Sequence, residues 1–148
     1  MYKFEKLEVW QLSLEYLDRC YEISGALPAL EDFNLKSQLR RAATSIALNI
    51  AEGSTGQTDA EQVRFLGLAI RSLLETVACL RIVVRRRYQA TTELVEKANE
   101  QNQHLHRKLQ AMRKSLAPNQ PWLREGRSAY GADAEGGDTQ GNSGTEGQ

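Results

Sequence analysis

The spacing of apolar residues is the feature that most constrains how this chain folds. Apolar side chains recur three and four positions apart, which is the period of one face of an α-helix rather than of a strand. The first segment has this spacing at Leu7, Trp10, Leu14, Leu17 and Tyr21. The second has it at Leu35, Leu39, Ala42, Ile46 and Ile50. Both segments are therefore predicted to be amphipathic helices with one buried stripe each.

Local residue chemistry predicts where these helices begin and end. The pair Ser24-Gly25 is expected to stop the first helix, and Asn34 to serve as N-cap of the second. We expect the second helix to end at Gly53, where glycine can take the left-handed conformation. Thr58, followed three residues later by Glu61, predicts a capping box at the start of a third helix.

The third segment has an apolar face that is wider than one helix seam requires. Its main stripe is Leu66, Ile70, Leu73, Val77, Leu80 and Val84. Beside that stripe lie Phe65, Ala69, Ala78, Cys79 and Val83. The width leaves two interpretations open: this helix is central in the bundle, or it faces a second subunit.

A weaker stripe follows a cap at Thr91 or Thr92, and it consists of Leu94, Ala98, Gln101, Leu105, Met112 and Leu116. Four helices with short connections and no alternating pattern predict an all-α, up-down-up-down four-helix bundle over residues 1–116. Residues 117–148 hold seven of the eleven glycines, and their two basic and five acidic residues give a charge of −3. We predict a disordered, acidic tail there.

The net charge of zero is the sum of this tail and of a bundle that carries +3. Neutrality therefore excludes a strongly basic binder, but it does not exclude a local basic patch. Cys20 and Cys79 form no metal-binding pair, and His104 and His106 do not meet the ligand requirements of a zinc or di-iron site. We find no catalytic motif, secretory signal or membrane span. We expect a cytoplasmic protein without enzymatic activity, metal, cofactor or membrane contact.

Arginines are the residues that indicate a partner. The candidate nucleic-acid-binding residues are Arg81, Arg85, Arg86, Arg87, Arg40 and Arg41. A guanidinium group suits phosphate because its planar fork donates two hydrogen bonds. The alternative is that these charges only complement the helix dipole and keep the protein soluble. In an up-down bundle, the cluster at the end of the third helix and the basic residues late in the fourth helix should lie at opposite poles.

Several motifs make the chain resemble a known family. They are Phe4-x-x-Leu7-x-Val9-Trp10-Gln11, Leu27-Pro28-x-x-Glu31, Gln38-Leu39-Arg40-Arg41-Ala42-Ala43-Thr44-Ser45-Ile46, Asn49-Ile50-Ala51-Glu52-Gly53, Phe65-Leu66-x-x-Ala69 and Ser72-Leu73-x-Glu75. The family is that of the four-helix-bundle proteins encoded in intervening sequences of bacterial 23S ribosomal RNA genes. The resemblance extends over residues 4–88, fades in the fourth helix and does not reach the tail.

The resemblance implies a non-enzymatic homopentamer. Relatives include the accessory variability determinant of diversity-generating retroelements, a basic pentamer that binds a reverse transcriptase and nucleic acid. Trp10, Asn49, Glu52 and Gly53 match the family motifs, and we interpret them as structural. Asn49 and Glu52 are expected to bond to the loop after the second helix or to a neighbouring helix. Arg71 departs from the family, which usually has glycine there.

Two functions remain open at this point. One is a homo-oligomeric accessory protein that binds RNA or DNA through its arginine clusters and has a reverse transcriptase as protein partner. The other is a purely structural adaptor that does not bind nucleic acid.

Overall fold

A computed structural model describes residues 1–56 and 58–117 of the chain. Four helices are present there, and this part contains no strand: α1 (Glu8–Ala26), α2 (Leu35–Gly53), α3 (Asp59–Arg85) and α4 (Thr92–Leu116). Short 3-10 turns cover Lys3–Lys6, Ala29–Glu31 and Gln89–Thr91. Each helix packs against the helices before and after it, and α4 packs against α1. The predicted four-helix bundle is confirmed. The predicted tail, apart from Ala117, lies outside the described residues.

The buried face of α1 differs from the predicted stripe. Its buried residues are Val9, Ser13, Tyr16, Cys20, Ile23 and Ser24. The predicted positions Leu7, Trp10, Leu14 and Leu17 are only half-buried, and Tyr21 is exposed. Both sets have helical spacing, but the buried set contains serine, cysteine and tyrosine, which the apolar pattern passes over. The prediction of this face was wrong by a small rotation of the helix.

The stripe predicted for α2 is confirmed, because all five of its residues are buried. The predicted end of α1 was two residues short, since the helix continues through Gly25 to Ala26. Asn34 is the N-cap of α2 as predicted, but its side chain makes no capping bond. Thr58 accepts the predicted hydrogen bond from the Glu61 amide at 3.1 Å.

Gly53 ends α2, but the reason predicted for it was wrong. Gly53 is the last residue of the helix and its φ is not positive; the left-handed glycine is Gly56, at φ 90°. A Cβ on Gly53 would lie 2.7 Å from the Cβ of Phe65 on α3. The glycine is therefore needed for the close approach of α2 to α3 rather than for a left-handed turn.

On α3, the stripe is buried at Leu66, Ile70, Leu73 and Leu80, while Val84 at its end is 55% exposed. The buried face of α4 is Val95, Ala98, Asn102, Leu105 and Leu109, so it differs from the predicted stripe at several positions. Gln101 is half-buried, and its Oε1 accepts a hydrogen bond from Arg19 Nε at 3.2 Å. The neighbouring Asn102 is the polar residue that α4 places in the core.

A buried chain of hydrogen bonds joins three of the helices. The Thr76 hydroxyl donates to the Leu73 carbonyl at 2.5 Å, so it can only accept from the hydroxyl of Tyr16, which is 2.7 Å away. The Tyr16 oxygen in turn accepts from Asn102 Nδ2 at 3.5 Å. Burial raises the pKa of Tyr16 well above its usual range, which keeps it a neutral donor. This chain fixes the rotation of α1, because Tyr16 would otherwise bury an unpaired hydroxyl.

Candidate nucleic-acid interface

The end of α3 brings a run of arginines to one pole of the bundle. Arg85 is the last residue of α3, Arg86 is its C-cap, and Arg87 follows in the left-handed conformation at φ 58°. The Arg87 amide donates to the Val84 carbonyl at 3.0 Å, which closes the final turn. Arg81, one turn earlier, donates from Nη1 to Asn99 Oδ1 at 3.0 Å. These four exposed residues, Arg81 and Arg85–Arg87, form what we call the arginine pole.

The guanidinium groups of the arginine pole form no close ion pair in the described residues, although the Glu31 carboxylate acts on Arg86 and Glu96 lines a pocket with Arg87. Within residues 1–56 and 58–117, no carboxylate lies within 4.0 Å of any of the four arginines. Two other acids have partners of their own: Asp32 pairs with Lys36 at 2.7 Å, and Glu93 pairs with Lys97 at 3.3 Å. Four cations at one pole can therefore attract a phosphate backbone.

Glu31 connects the two loops at this pole. It is 4% exposed, and its Oε1 accepts a hydrogen bond from the Tyr88 hydroxyl at 3.0 Å. Its Oε2 accepts from Asn34 Nδ2 at 3.1 Å and from the Leu35 amide at 3.3 Å. Burial alone would raise the pKa of Glu31, but these three bonds and the nearby Arg86 lower it below its ordinary value. The Glu31 carboxylate therefore holds the α3–α4 corner against the start of α2.

The nearby Tyr88 hydroxyl and the carboxylate of Glu31 raise the pKa of Arg86. Arg86 is thus drawn toward the loop that contains Glu31, while Arg81 is held against α4. The arginine pole is spread across the end of the bundle as a result, rather than concentrated at one point.

A pocket of about 440 Å³ lies beside the arginine pole, in the corner between α3 and α4. Its apolar lining comes from Val83, Val84 and Val95, and Tyr88 supplies an aromatic wall. Arg87 is the cation of the arginine pole that lines it.

Arg40 and Arg41 are also predicted from the sequence to bind nucleic acid, but they are not part of the arginine pole. Ser45 and Ser72 pair across α2 and α3 at 2.9 Å, so Arg41, one turn away, lies level with Thr76. At 1.5 Å per residue, Arg81 lies about 7.5 Å further along α3 than this level, and Arg85 lies about 13 Å further. Arg41 is exposed and lines a groove with Glu75.

Arg40 is half-buried, and its guanidinium carbon lies 5.4 Å from the centre of the Tyr21 ring. Its buried Nε has no hydrogen-bond partner in the described part of the chain. The stacking on Tyr21 accounts for the burial of this arginine as a packing residue. Arg40 therefore offers less of its charge to a partner than the residues of the arginine pole.

The basic residues late in α4 lie at the opposite pole, as predicted. Lys108 pairs with Glu8 at 3.4 Å. The Arg113 guanidinium lies against Gly67, where a Cβ would come within 3.1 Å of it, and Nε donates to the Val63 carbonyl at 3.4 Å. These cations hold α4 against α1 and α3.

Trp10, Asn49 and Glu52, which match the family motifs, differ in burial and in hydrogen bonding. Trp10 is half-buried and packs edge-on against Phe4, with ring centres 4.7 Å apart. Asn49 Nδ2 donates within its own helix, to the Ser45 carbonyl at 2.8 Å and to the Ser45 hydroxyl at 3.0 Å. Ser45 then bonds Ser72, so Asn49 reaches α3 only through that serine. Glu52 has an exposed side chain, and its carbonyl accepts from Thr55.

Sequence reasoning missed Glu31, Tyr88 and Asn99 as parts of this pole. Tyr88 directly follows the arginine run, and Glu31 comes shortly before α2, so both were visible as candidates. Their pairing joins positions 57 residues apart, which no local pattern encodes. In the described residues, no three metal-ligating side chains converge, and none of the helices there is apolar over enough length to cross a bilayer.

Comparison with known proteins assigns the chain to a family. The sequence matches the family described as "23S rRNA-intervening sequence protein" over residues 5–111. A crystal structure of a protein of unknown function from the S23 ribosomal protein family of Bacteroides thetaiotaomicron is similar, with a TM-score of 0.65 and 28% sequence identity. The alignment covers 72% of this chain and 95% of that one. No curated protein gave a match. Since the matched span is most of the chain and includes α1–α3 and most of α4, the chain belongs to the 23S rRNA-intervening sequence protein family.

Proposed function

We propose that this protein is a non-enzymatic, homo-oligomeric accessory protein that binds RNA or DNA through the arginine pole. The observation that carries the proposal is the clustering of four exposed arginines, Arg81 and Arg85–Arg87, at the end of α3, where none has a carboxylate within 4.0 Å in the described part of the chain.

The backbone of Arg87 supports the same proposal. A non-glycine residue in the left-handed conformation costs about 1–2 kcal/mol, and glycine is the usual residue at this position after a helix. Arg87 therefore reduces stability at its position, while its side chain lines the pocket at the pole. A strained residue with an exposed charge is the arrangement expected of a binding residue.

Exposed apolar side chains support the oligomer. Leu74, Ala78 and Ile82 are exposed and lie four residues apart on α3, so they form an outward stripe. Leu48 on α2 is 59% exposed. These side chains account for the wide apolar face of α3 if that face packs against another copy of the chain. We propose the pentamer, and a reverse transcriptase as protein partner, on the family resemblance.

The test measures binding of a labelled single-stranded RNA and of a DNA duplex at low salt. We compare the wild type with Arg85→Gln/Arg87→Gln. The matched control is Arg107→Gln/Lys114→Gln, which removes two exposed cations near the other end of α4. We expect only the first variant to bind more weakly. For each phosphate that is no longer neutralised, its salt slope should fall by about 0.7 on a single strand, or about 0.9 on a duplex. Binding that is undetectable in the wild type would refute the proposal.

The second candidate function is a protein adaptor without nucleic-acid binding, and the outward stripe on α3 is the observation that favours it. An adaptor would assemble and bind its protein partner equally well after the arginine substitutions. Light scattering tests the assembly itself, because a single chain has a mass of 16.6 kDa and a pentamer has five times that mass. A monomer in solution would refute the oligomer.

A further inference from the structure

The pocket in the α3–α4 corner has walls that suit a flat, largely apolar group. Val83 is fully buried and Val95 is 2% exposed, so they form a closed apolar floor. The Tyr88 hydroxyl is bonded to Glu31, which fixes the position of the aromatic ring before anything binds. The volume of about 440 Å³ is within the range of small-molecule sites, about 300–1,000 Å³.

The rim of the pocket offers both hydrogen-bond donors and acceptors. Glu96 and Asn99 line it from α4, three residues apart and thus on one face of that helix. Asn99 Oδ1 accepts from Arg81 at 3.0 Å, which leaves the two N–H donors of this amide and one oxygen lone pair for a ligand. Glu96 supplies a carboxylate acceptor beside it. A group that bonds both must carry donors and acceptors along one edge.

A guanidinium group also lines the pocket, on the side of the arginine pole. Arg87 lines the pocket, and Arg85 and Arg86 precede it directly in the chain. A group that enters the pocket therefore lies beside the Arg87 guanidinium, which favours anions, and phosphate above all.

We propose that this pocket holds one unstacked base of a single-stranded nucleic acid, with the adjacent phosphate on Arg87. Bases of single strands have apolar faces that stack on aromatic side chains, and polar edges that carry donors and acceptors. The valine floor and Tyr88 match the faces, Glu96 and Asn99 match the edge, and the arginine pole matches the backbone. This inference rests on the proposed function and narrows it, because it makes single strands the preferred ligand.

The experiment separates bases from phosphates. Two labelled DNA oligonucleotides of equal length and equal phosphate count are compared at low salt, one with bases and one fully abasic. Stacking is worth about 1–3 kcal/mol per base, so we expect the oligonucleotide with bases to bind about 5- to 150-fold more tightly.

A variant that fills the pocket provides the second arm. Val84 is 55% exposed, so Val84→Trp adds bulk at the lining without disturbing the floor. We expect this variant to bind the oligonucleotide with bases only as well as the abasic one, and to leave abasic binding unchanged. The control is Leu30→Trp, which adds the same side chain at a 71% exposed site in the turn between α1 and α2, outside the pocket lining.

The outcomes distinguish this inference from the proposed function. Equal affinity of the wild type for both oligonucleotides would overturn the base pocket and leave phosphate binding intact. Absence of binding to either one would overturn both. An acidic peptide whose binding, instead of the oligonucleotide's, is abolished in Val84→Trp would assign the pocket to a protein partner and overturn the inference.

Discussion

The left-handed backbone of Arg87 predicts that a glycine there changes stability and nucleic-acid binding in opposite directions. Arg87 has φ 58°, which costs an L-residue about 1–2 kcal/mol that glycine does not lose. Glycine also increases the conformational entropy of the unfolded chain, which offsets about 0.4–1 kcal/mol of this gain in stability. The net expectation for Arg87→Gly is a gain of about 0.5–1 kcal/mol in unfolding free energy, or about 2–4 °C in Tm for a domain of this size.

The same substitution removes a cation from the arginine pole. We expect weaker binding of single-stranded nucleic acid, with a salt slope smaller by about 0.7 if Arg87 neutralises one phosphate in the wild type. The matched control is Arg85→Gly, because Arg85 is the last residue of α3 and has helical geometry. It also removes one cation, but a glycine in a helix costs up to about 1 kcal/mol, so Tm should fall.

Thermal unfolding followed by circular dichroism at equal protein concentration, together with fluorescence anisotropy of a labelled oligonucleotide, measures both effects. A Tm of Arg87→Gly at or below that of the wild type would show that the left-handed backbone stores no strain. Unchanged affinity in both glycine variants would show that these arginines do not contact phosphate.

Three further predictions concern the bundle. Gly53→Ala should lower the unfolding free energy by about 1–3 kcal/mol in urea titration, because its Cβ would meet Phe65, whereas Gly25→Ala, which meets nothing within 4 Å, should not destabilise. Because the folded protein lowers the pKa of Glu31, its contribution to stability is complete above the ordinary carboxyl pKa and is lost as the pH falls through the folded value. Glu31→Gln should therefore flatten acid unfolding, and an unchanged acid transition would contradict this. Burial raises the pKa of Cys20 to about 12, so a thiol reagent at pH 8 should modify it only as fast as the protein unfolds; rapid modification of the native protein would refute its burial.

Much of the bundle could be predicted because the relevant signals are local. The period of the apolar residues and the turn residues between them specify four helices, and the ends of α3 and α4 fall within a residue or two of the predicted ones. The opposite placement of the two basic clusters follows from alternation of direction alone. These features depend on near neighbours in the chain, which is why spacing and capping chemistry suffice for them.

The rotation of α1 could not be predicted in the same way. The predicted stripe and the buried face have the same helical spacing, and the choice between them depends on Tyr16 bonding to Thr76, which is 60 residues away. A polar residue can be buried only if it finds a hydrogen-bond partner, which here lies on another helix. Ranking the residues by hydropathy alone therefore favours the wrong face of α1. The same limit explains why Asn102 was missed in favour of Gln101.

The candidate site likewise has some features that the sequence predicts and others that depend on tertiary contacts. The sequence by itself determined that arginines end α3 and that this end lies opposite the basic end of α4, because both facts depend on positions along a helix. Only the tertiary structure decided that Glu31 holds Tyr88, that Asn99 holds Arg81, and that Arg40 is partly buried against Tyr21. Each of these is a contact between segments distant in sequence, and packing of whole helices brings such segments together.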